Sequence, residues 1–391
     1  QLQELGFDYD WSKMIATSDP EFYHWTQWIF KQLYKDGYAK YVDMPVNWCE
    51  ELGTVLSNDE VIDGKSERGG YPVIRKNMKQ LCIDQAAFAE RLLEGLNEID
   101  WPASTKEMQR NWIGRSTGVE VQFEIVGGGK FSIFTTCIET IYGITFMVLA
   151  PDGDLVQELM PRIKNQDEVK AYIQETVSKS EMDRTELNKG KSGCRLEGIK
   201  AINPVNGREV EVFIGDFVLA NYGTGAVMAV PSHDQRDFEY AIAHNIDMIQ
   251  VIEGQDVSEH AFEKQDYLGK GCKLINSEEF TGLTVEEAKV AITKKLVDMG
   301  IAKETVNYRF REWIFARQRY WGEPVPIVHL EDGTDYVLPD EELPLILPEL
   351  EDYKGHNGKA PLENATDWKQ YNQNGVKGVR ETSTMPGSAG S

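Results

Sequence analysis

The sequence predicts an α/β protein of two to three domains, and three observations lead there. A chain of 391 residues exceeds what one ordinary hydrophobic core accommodates. Stretches with helical apolar spacing alternate with short strand-like runs along its length. Its densest stretch, NYGTGAVMAVPSHDQRD from Asn221 to Asp237, is itself a strand that runs into a helix. Gly223 and Gly225 let the backbone turn, or approach a ligand, where a side chain would clash. Ala226 to Val230 reads as a strand buried on both faces, and Pro231 ends it because proline cannot donate to a sheet ladder. Ser232, His233, Asp234, Gln235, Arg236 and Asp237 then lead into a helix over Phe238 to Asn245. Two readings stay open on residue types alone. One is a helix start capped by Ser232 or Asp234; the other is a site built at a helix N-terminus.

The composition, 41% hydrophobic and 10% aromatic, is that of a globular protein. No apolar run reaches membrane-spanning length and no signal-peptide pattern opens the chain, so no membrane partner is expected. The five cysteines (Cys49, Cys82, Cys137, Cys194, Cys272) are scattered and none forms a CxxC pair. That predicts a reducing cytoplasm and argues against a disulfide framework and a cysteine zinc site. A net charge of -23 argues against non-specific nucleic-acid binding. A polyanion partner needs a local basic patch, for which Lys303, Arg309, Arg311, Arg317 and Arg319 are the candidates. The chain opens at Gln1 without an initiator Met and ends in a small-residue run, which suggests a piece of something longer.

In chain order, Asp19-Pro20 predicts a helix start, and Phe22, Trp25, Ile29 and Leu33 follow at helical spacing on what reads as its core face, up to Gly37. Met44 to Lys79 breaks into short extended pieces punctuated by Gly53, Gly64, Gly69 and Gly70, a small β-rich insertion. A helix is expected over Asp84 to Glu98. MQRNWIGRS, Met108 to Ser116, leads into alternating strands and the turn Gly127-Gly128-Gly129. A strand then ends in Thr135 and Thr136, passes Cys137-Ile138-Glu139-Thr140 and enters a second apolar run through Gly143. Clustered threonines there reflect either β-propensity or hydrogen-bonding groups at a pocket. A polar helix is expected over Asn165 to Ser180. VSKSE, Val177 to Glu181, has the look of a phosphate-binding lysine loop but sits without glycine at a helix end. Strands follow over Gly207 to Val218. Thr284 and Glu287 form a capping box for a helix that Gly300 terminates. An Arg-rich amphipathic helix with Arg311, Arg317 and Arg319 is expected to run into Trp321-Gly322-Glu323-Pro324.

Taken together, FDYDWSK, DPEFYHWTQWIFKQLY, PVNWC, MQRNWIGRS, FTTCIETIYG, YGTGAVMAVPSHDQRD, FREWIFARQRYWGEPVPI and RETSTM, in this order, resemble the bacterial leucyl-tRNA synthetases, class I aminoacyl-tRNA synthetases. Isoleucyl- and valyl-tRNA synthetases share the architecture. The large insertion coming after the small β insertion and MQRNWIGRS favours the leucyl type. The resemblance implies an α/β fold: an incomplete Rossmann-like catalytic domain interrupted by an α/β editing domain with a β-barrel-like core. Its boundaries would be 1–43, 81–118 and 309–391 for the catalytic domain, 44–80 for a zinc-knuckle-like insertion without metal, and 119–308 for editing. HxGH and KMSKS are absent from the chain. The full-length enzyme would join leucine to tRNA(Leu) using ATP with Mg2+, as a cytoplasmic monomer. Editing needs no cofactor, and no zinc is expected because Cys49 stands alone.

What the resemblance implies for the site is specific. Asp237 would pair with the α-amino group of a mischarged amino acid. The Thr140 methyl would exclude leucine. Thr135, Thr136, Tyr142 and Met228 would line the pocket or hold the terminal adenosine, joined by Tyr222, Gly225, Val230, His233 and Asp234. Arg309, Arg311, Arg317 and Arg319 would contact tRNA. Where the commoner family form reads TTRPDT, this chain reads TTCIET, with Cys137, Ile138 and Glu139 in place of Arg, Pro and Asp. A Cys137–His233 thiol hydrolase and a His233–Asp234–Asp237 metal cluster are the competing chemistries. Capping by Asp234 and a structural hydrogen bond to His233 account for the same residues more simply. The rival function is a non-catalytic tRNA-binding scaffold.

Overall fold

Asp19 and Pro20 start α1 (Pro20–Lys35), where the missing proline N–H would have had no helical partner. In the computed structural model, which describes every residue except 58–59, 63, 178, 180–183, 185–191, 221–222, 311 and 356–358, the buried face of α1 is not the one its apolar spacing suggests. Tyr23, Gln27, Phe30 and Lys31 are buried, while Trp25 and Ile29 are 61% and 54% exposed. Partners far along the chain explain this. The Gln27 amide donates to the carbonyls of Pro324 and Leu345 and accepts from the Leu345 N–H, each at 2.9 Å. Lys31 pairs with Asp340. A polar side chain so bonded can sit in a core, and Phe30 stacks on Phe315 beside it.

The chain forms two compact units, Gln1–Val61 with Lys65–Glu98 and Phe310–Ser391, and Ile62–Gly64 with Ile99–Arg309. In the first unit α1 is followed by β1 (Ala39–Cys49), β2 (Thr54–Leu56), β3 (Ile74–Ile83) and α2 (Ala89–Glu98). Cys49 is fully buried, packs with Leu56, Val61 and Val73, and directs its thiol to the Glu51 carboxylate at 3.9 Å. Among the described residues no three His, Cys, Asp or Glu side chains are grouped for a metal ion.

The second unit opens with a helix that the sequence pattern did not signal, α3 (Ala103–Ile113), ended by Gly114 in the left-handed conformation. Then come β4 (Ser116–Ile125), β5 (Lys130–Thr135), a 3-10 turn (Ile138–Gly143), β6 (Phe146–Leu149), α4 (Asp154–Leu159) and α5 (Gln166–Val177). Ser178, Ser180 and Glu181 of the candidate lysine loop lie outside the described residues. The unit continues with β7 (Gly193–Ile202), β8 (Glu209–Gly215), β9 (Ala226–Ala229), α6 (Gln235–His244), α7 (Lys264–Tyr267), α8 (Val285–Asp298) and β10 (Ala302–Asn307). The Thr284 capping box is present in both directions and Gly300 follows the helix with positive φ, as expected.

These strands make one seven-stranded sheet in the order β9-β6-β8-β7-β4-β10, with β5 also on β4. Among the described residues only β6 and β8 of its pairs run parallel. Among the described residues the expected barrel is not closed, because β9 pairs there with β6 alone and ends the ladder. That edge position also explains why Val227 and Met228 are only half-buried, where a strand covered on both faces was expected. The core beneath joins Ile141, Tyr142 and Val230 to Val251, Tyr267 and the buried stripe of α8, Ala288, Ile292 and Leu296.

Back in the first unit stand β11 (Trp313–Ile314), β12 (Ile327–Leu330), β13 (Asp335–Val337), β14 (Gln370–Gln373) and β15 (Val376–Arg380). Its two four-stranded sheets, β11-β3-β1-β2 and β13-β12-β15-β14, are antiparallel throughout. The parallel Rossmann-like sheet expected there is not displayed: β1 and β3 pair antiparallel from Ala39 opposite Ile83 to Trp48 opposite Ile74. Among the described residues the Arg-rich helix is absent too. Trp313 and Ile314 pair antiparallel with Ile83 and Cys82 of β3, and the Arg317 main chain exchanges both hydrogen bonds with Thr384 at 2.8 Å. Arg311 lies outside the described residues.

Candidate functional site

β5 ends at Thr135, and the five residues after it form a turn closed around Cys137. The Cys137 N–H donates to Thr135 Oγ1 at 3.0 Å. The Cys137 carbonyl accepts from the Thr140 N–H at 3.1 Å and from Thr140 Oγ1 at 2.9 Å. With its hydroxyl so directed, Thr140 is left with its methyl as the remaining group on Cβ. Thr135 and Thr140 are buried, while Thr136 and Cys137 are half-buried and form the accessible edge of the turn. Glu139 is fully buried; the Tyr267 hydroxyl donates to its Oε1 at 3.2 Å, and burial raises its pKa above the ordinary carboxylate value.

The second part of the site lies beside this turn. β6, which follows it, pairs with β9 from Phe146 opposite Ala229 to Leu149 opposite Ala226. The Ala150 N–H donates to the Gly225 carbonyl at 2.8 Å, and Gly225 has φ +67 in close approach to Ala220. Gly143, at the end of the turn, stands where a side chain would press tightly on its neighbours. A Cβ there would stand 3.0 Å from Val230 Cγ1 and from the Ile249 carbonyl, and 3.1 Å from Val251 Cγ2. The threonine turn and the 225–237 stretch are therefore packed against each other.

Asp234 is the N-cap of α6, and its Oδ1 accepts from the N–H groups of Arg236 and Asp237, each at 3.0 Å. The Asp237 carboxylate is 7% exposed, and its Oδ2 accepts from the Val230 N–H at 2.9 Å. In the first turn of α6 it also sits where the helix dipole favours negative charge. His233 is structural. Its Nδ1 lies 2.9 Å from the Phe262 carbonyl, and its Nε2 receives the N–H groups of Val251 at 3.0 Å and Ile252 at 3.3 Å. That pattern requires a neutral ring protonated on Nδ1, and burial lowers its pKa to about 4. Both nitrogens are engaged, so the ring can neither bind a metal nor activate Cys137.

The structure thus brings together Thr135, Thr136, Thr140, Tyr142, Gly225, Met228, Val230, His233, Asp234 and Asp237 in one unit, while Tyr222 lies outside the described residues. The candidate arginines are divided between the two units. Arg309 belongs to the second unit, and Arg317 and Arg319 to the first. The Arg317 guanidinium donates to the carbonyls of Ile314 and Ala316 at 2.8 and 3.0 Å, and Arg319 pairs with Glu60 at 2.7 Å. Two residues that the sequence reading missed touch the turn: Lys289, whose Nζ donates to the Thr136 carbonyl at 2.9 Å, and Tyr267. No local pattern announces either, since each reaches the turn across more than a hundred residues.

The site thus lies in an α/β unit inserted in sequence within another, where a threonine-closed turn packs on a strand that feeds an acid-bearing helix. Residues 110–297 match the family model described as the leucyl-tRNA synthetase editing domain, and the chain accordingly carries that domain. It is also similar to the LeuRS of Agrobacterium radiobacter in the crystal structure of a ternary LeuRS-tRNA-LeuAMS complex. There the identity is 30%, the TM-score is 0.77, and the match covers 100% of this chain and 45% of that one. The chain thus spans less than half the length of that protein.

Proposed function

We propose that this chain hydrolyses mischarged tRNA(Leu), at a pocket formed by the Thr135–Thr140 turn and Asp237. The observation that supports this most is the Thr140 hydroxyl held by the Cys137 carbonyl, which commits the side chain to presenting a methyl. One methylene of difference in a pocket is worth only about 1–3 kcal/mol, so selection of leucine over other apolar amino acids needs a second, hydrolytic check. In that check Asp237 binds the substrate ammonium, and the Thr140 methyl occupies the space that leucine's branched side chain requires. Thr135, Thr136, Tyr142, Tyr222, Gly225, Met228 and Val230 shape the pocket, with His233 and Asp234 holding its second half. A water oxygen adds to the ester carbonyl, the bond to the terminal ribose oxygen breaks, and that oxygen leaves as a hydroxyl with the water's proton. Positioning, with help from the neighbouring ribose hydroxyl, supplies the acceleration.

The domain assignment, 119–308 for editing between Rossmann-like catalytic segments, belongs to the same proposal, as do a cytoplasmic location and a monomeric state. So does the wider setting, a leucine-tRNA ligase that uses leucine and ATP with Mg2+. That LeuRS occurs in a complex with tRNA supports tRNA as the partner here. The test is incubation of this chain with isoleucyl- and norvalyl-tRNA(Leu). Release of amino acid above the uncatalysed rate is expected; retained tRNA without release would instead establish the scaffold function.

A further inference from the structure

The threonine turn is anchored from outside by two side chains, and one of them performs two tasks. Within the turn, the Cys137 N–H and carbonyl are satisfied by Thr135 and Thr140. The Thr136 carbonyl takes its hydrogen bond from Lys289 Nζ, which reaches it from α8. Three residues on, the Glu139 carboxylate is fully buried, and its Oε2 has no hydrogen-bond partner among the described residues. The positive charge of Lys289 acts on that carboxylate as well. A single ammonium therefore holds a main-chain carbonyl at one end of the turn and in part opposes the effect of burial on the acid in its middle. α8 is itself fixed by its capping box and by the buried residues Ala288 and Ile292, so the anchor is rigid at its base.

We infer that Lys289 is a positioning residue that sets the geometry of the Thr136–Thr140 turn and through it the discrimination between leucyl and non-leucyl esters. The inference rests on the editing function proposed above. Its physical basis is that removing the ammonium takes the hydrogen-bond donor from the part-buried Thr136 carbonyl and a nearby positive charge from the buried Glu139 carboxylate, which keeps its bond from Tyr267. The turn then relaxes, and Thr140 moves with it. Displacements of about 1 Å at a reacting site change rates by around 100-fold.

Three variants test this: Lys289→Met and Lys289→Gln, which remove the charge in two shapes, and Lys289→Arg, which restores it. Two quantities are read for each: the ratio of isoleucyl- to leucyl-tRNA(Leu) hydrolysis, and the alkylation rate of Cys137 by iodoacetamide, followed by peptide mass spectrometry. Cys137 sits inside the turn and is half-buried, so its alkylation reports the turn directly. The uncharged variants are expected to narrow the ratio about tenfold and to accelerate alkylation several-fold, with Lys289→Arg close to wild type in both. An unchanged ratio, whether alkylation accelerates or not, overturns the inference. If the wild-type chain hydrolyses neither ester, the editing function fails and the specificity role with it; the alkylation rates then show separately whether Lys289 anchors the turn.

Discussion

The Thr140 hydroxyl donates to the Cys137 carbonyl at 2.9 Å, three residues back along the chain, and the Thr140 N–H points to the same oxygen at 3.1 Å. The rotamer is therefore fixed by its own turn. Thr140→Ser keeps the donor and deletes the methyl; Thr140→Val does the reverse. If the methyl is what spares leucine, Thr140→Ala and Thr140→Ser hydrolyse leucyl-tRNA(Leu) at least about tenfold faster than wild type, the lower end of what one methyl group yields. Thr140→Val spares it. First-order release of labelled leucine decides the matter, and a Thr140→Ser chain that leaves the leucyl ester intact removes the steric gate.

Asp237 has a local task and a proposed functional one, which substitutions can separate. Its Oδ2 accepts from the Val230 N–H at 2.9 Å. Asp237→Asn retains an acceptor for that N–H and loses the charge, whereas Asp237→Ala loses both. Hydrogen bonds that involve an ion contribute about 1.5–3 kcal/mol, so Asp237→Asn is expected to slow deacylation about 10–100-fold with little change in melting temperature. Asp237→Ala adds a destabilisation of about 1–3 kcal/mol from the unsatisfied buried N–H. Single-turnover deacylation and thermal unfolding monitored by circular dichroism separate the two. Undiminished hydrolysis by Asp237→Asn would falsify the ammonium-binding role.

Contact between the two parts of the site is tested at Gly143. A methyl there would press on Val230 and Val251 and on the Ile249 carbonyl. Overpacking of this kind typically costs about 1–3 kcal/mol. Gly143→Ala is expected to lower stability by that amount and, by pushing Val230 away, to weaken hydrolysis as well. Urea unfolding and deacylation measured on one preparation check both; a variant as stable and active as wild type shows the packing to be slack.

Local signals in the sequence translated well into structure. Asp19-Pro20, the Thr284–Glu287 box and the Asp234 cap act over three or four residues, and each appears where its chemistry places it. The turn around Cys137 lies where the threonines cluster. What did not translate depended on partners distant in sequence. α1 buries Gln27 and Lys31 because Pro324, Leu345 and Asp340 await them, which no helical spacing encodes. Val227 and Met228 are half-exposed because β9 lies at a sheet edge, and an edge strand and a central one share the same apolar run. Lys289 reads as an ordinary helix lysine until the fold brings Thr136 to it.

Two histidines, one in each unit, have pKa values shifted in opposite directions, which predicts opposite contributions to stability as pH changes. His233, in the second unit, is buried as the neutral ring with its pKa lowered to about 4. The unfolded chain takes up a proton below about 6.5 that the folded unit refuses. The stabilisation is thus complete above pH 6.5 and lost as pH falls toward 4, by up to about 3 kcal/mol from this group. His329, in the first unit, lies between two carboxylates, with Nε2 3.0 Å from Glu381 and Nδ1 2.7 Å from Asp335. Both nitrogens face acceptors, so the ring holds both protons; the Glu381 hydrogen bond chiefly raises its pKa. Burial works against the Glu381 charge, but bonds from His329, Tyr41 and Ser383 outweigh it and hold that carboxyl down at about 2. The His329 contribution is therefore complete below pH 6.5 and lost as pH rises through its elevated folded value. It is a modest one, because the ring is 36% exposed. Amide hydrogen exchange read separately for peptides of each unit, corrected for intrinsic exchange rates, makes the test. Lowering pH from 7 to 5 is expected to loosen β9 and α6 in wild type but less in His233→Gln. Raising pH from 6 to 9 is expected to loosen β12 and β13 in wild type but not in His329→Gln. Parallel behaviour of the two units in both directions would contradict the opposite protonation states assigned to these rings.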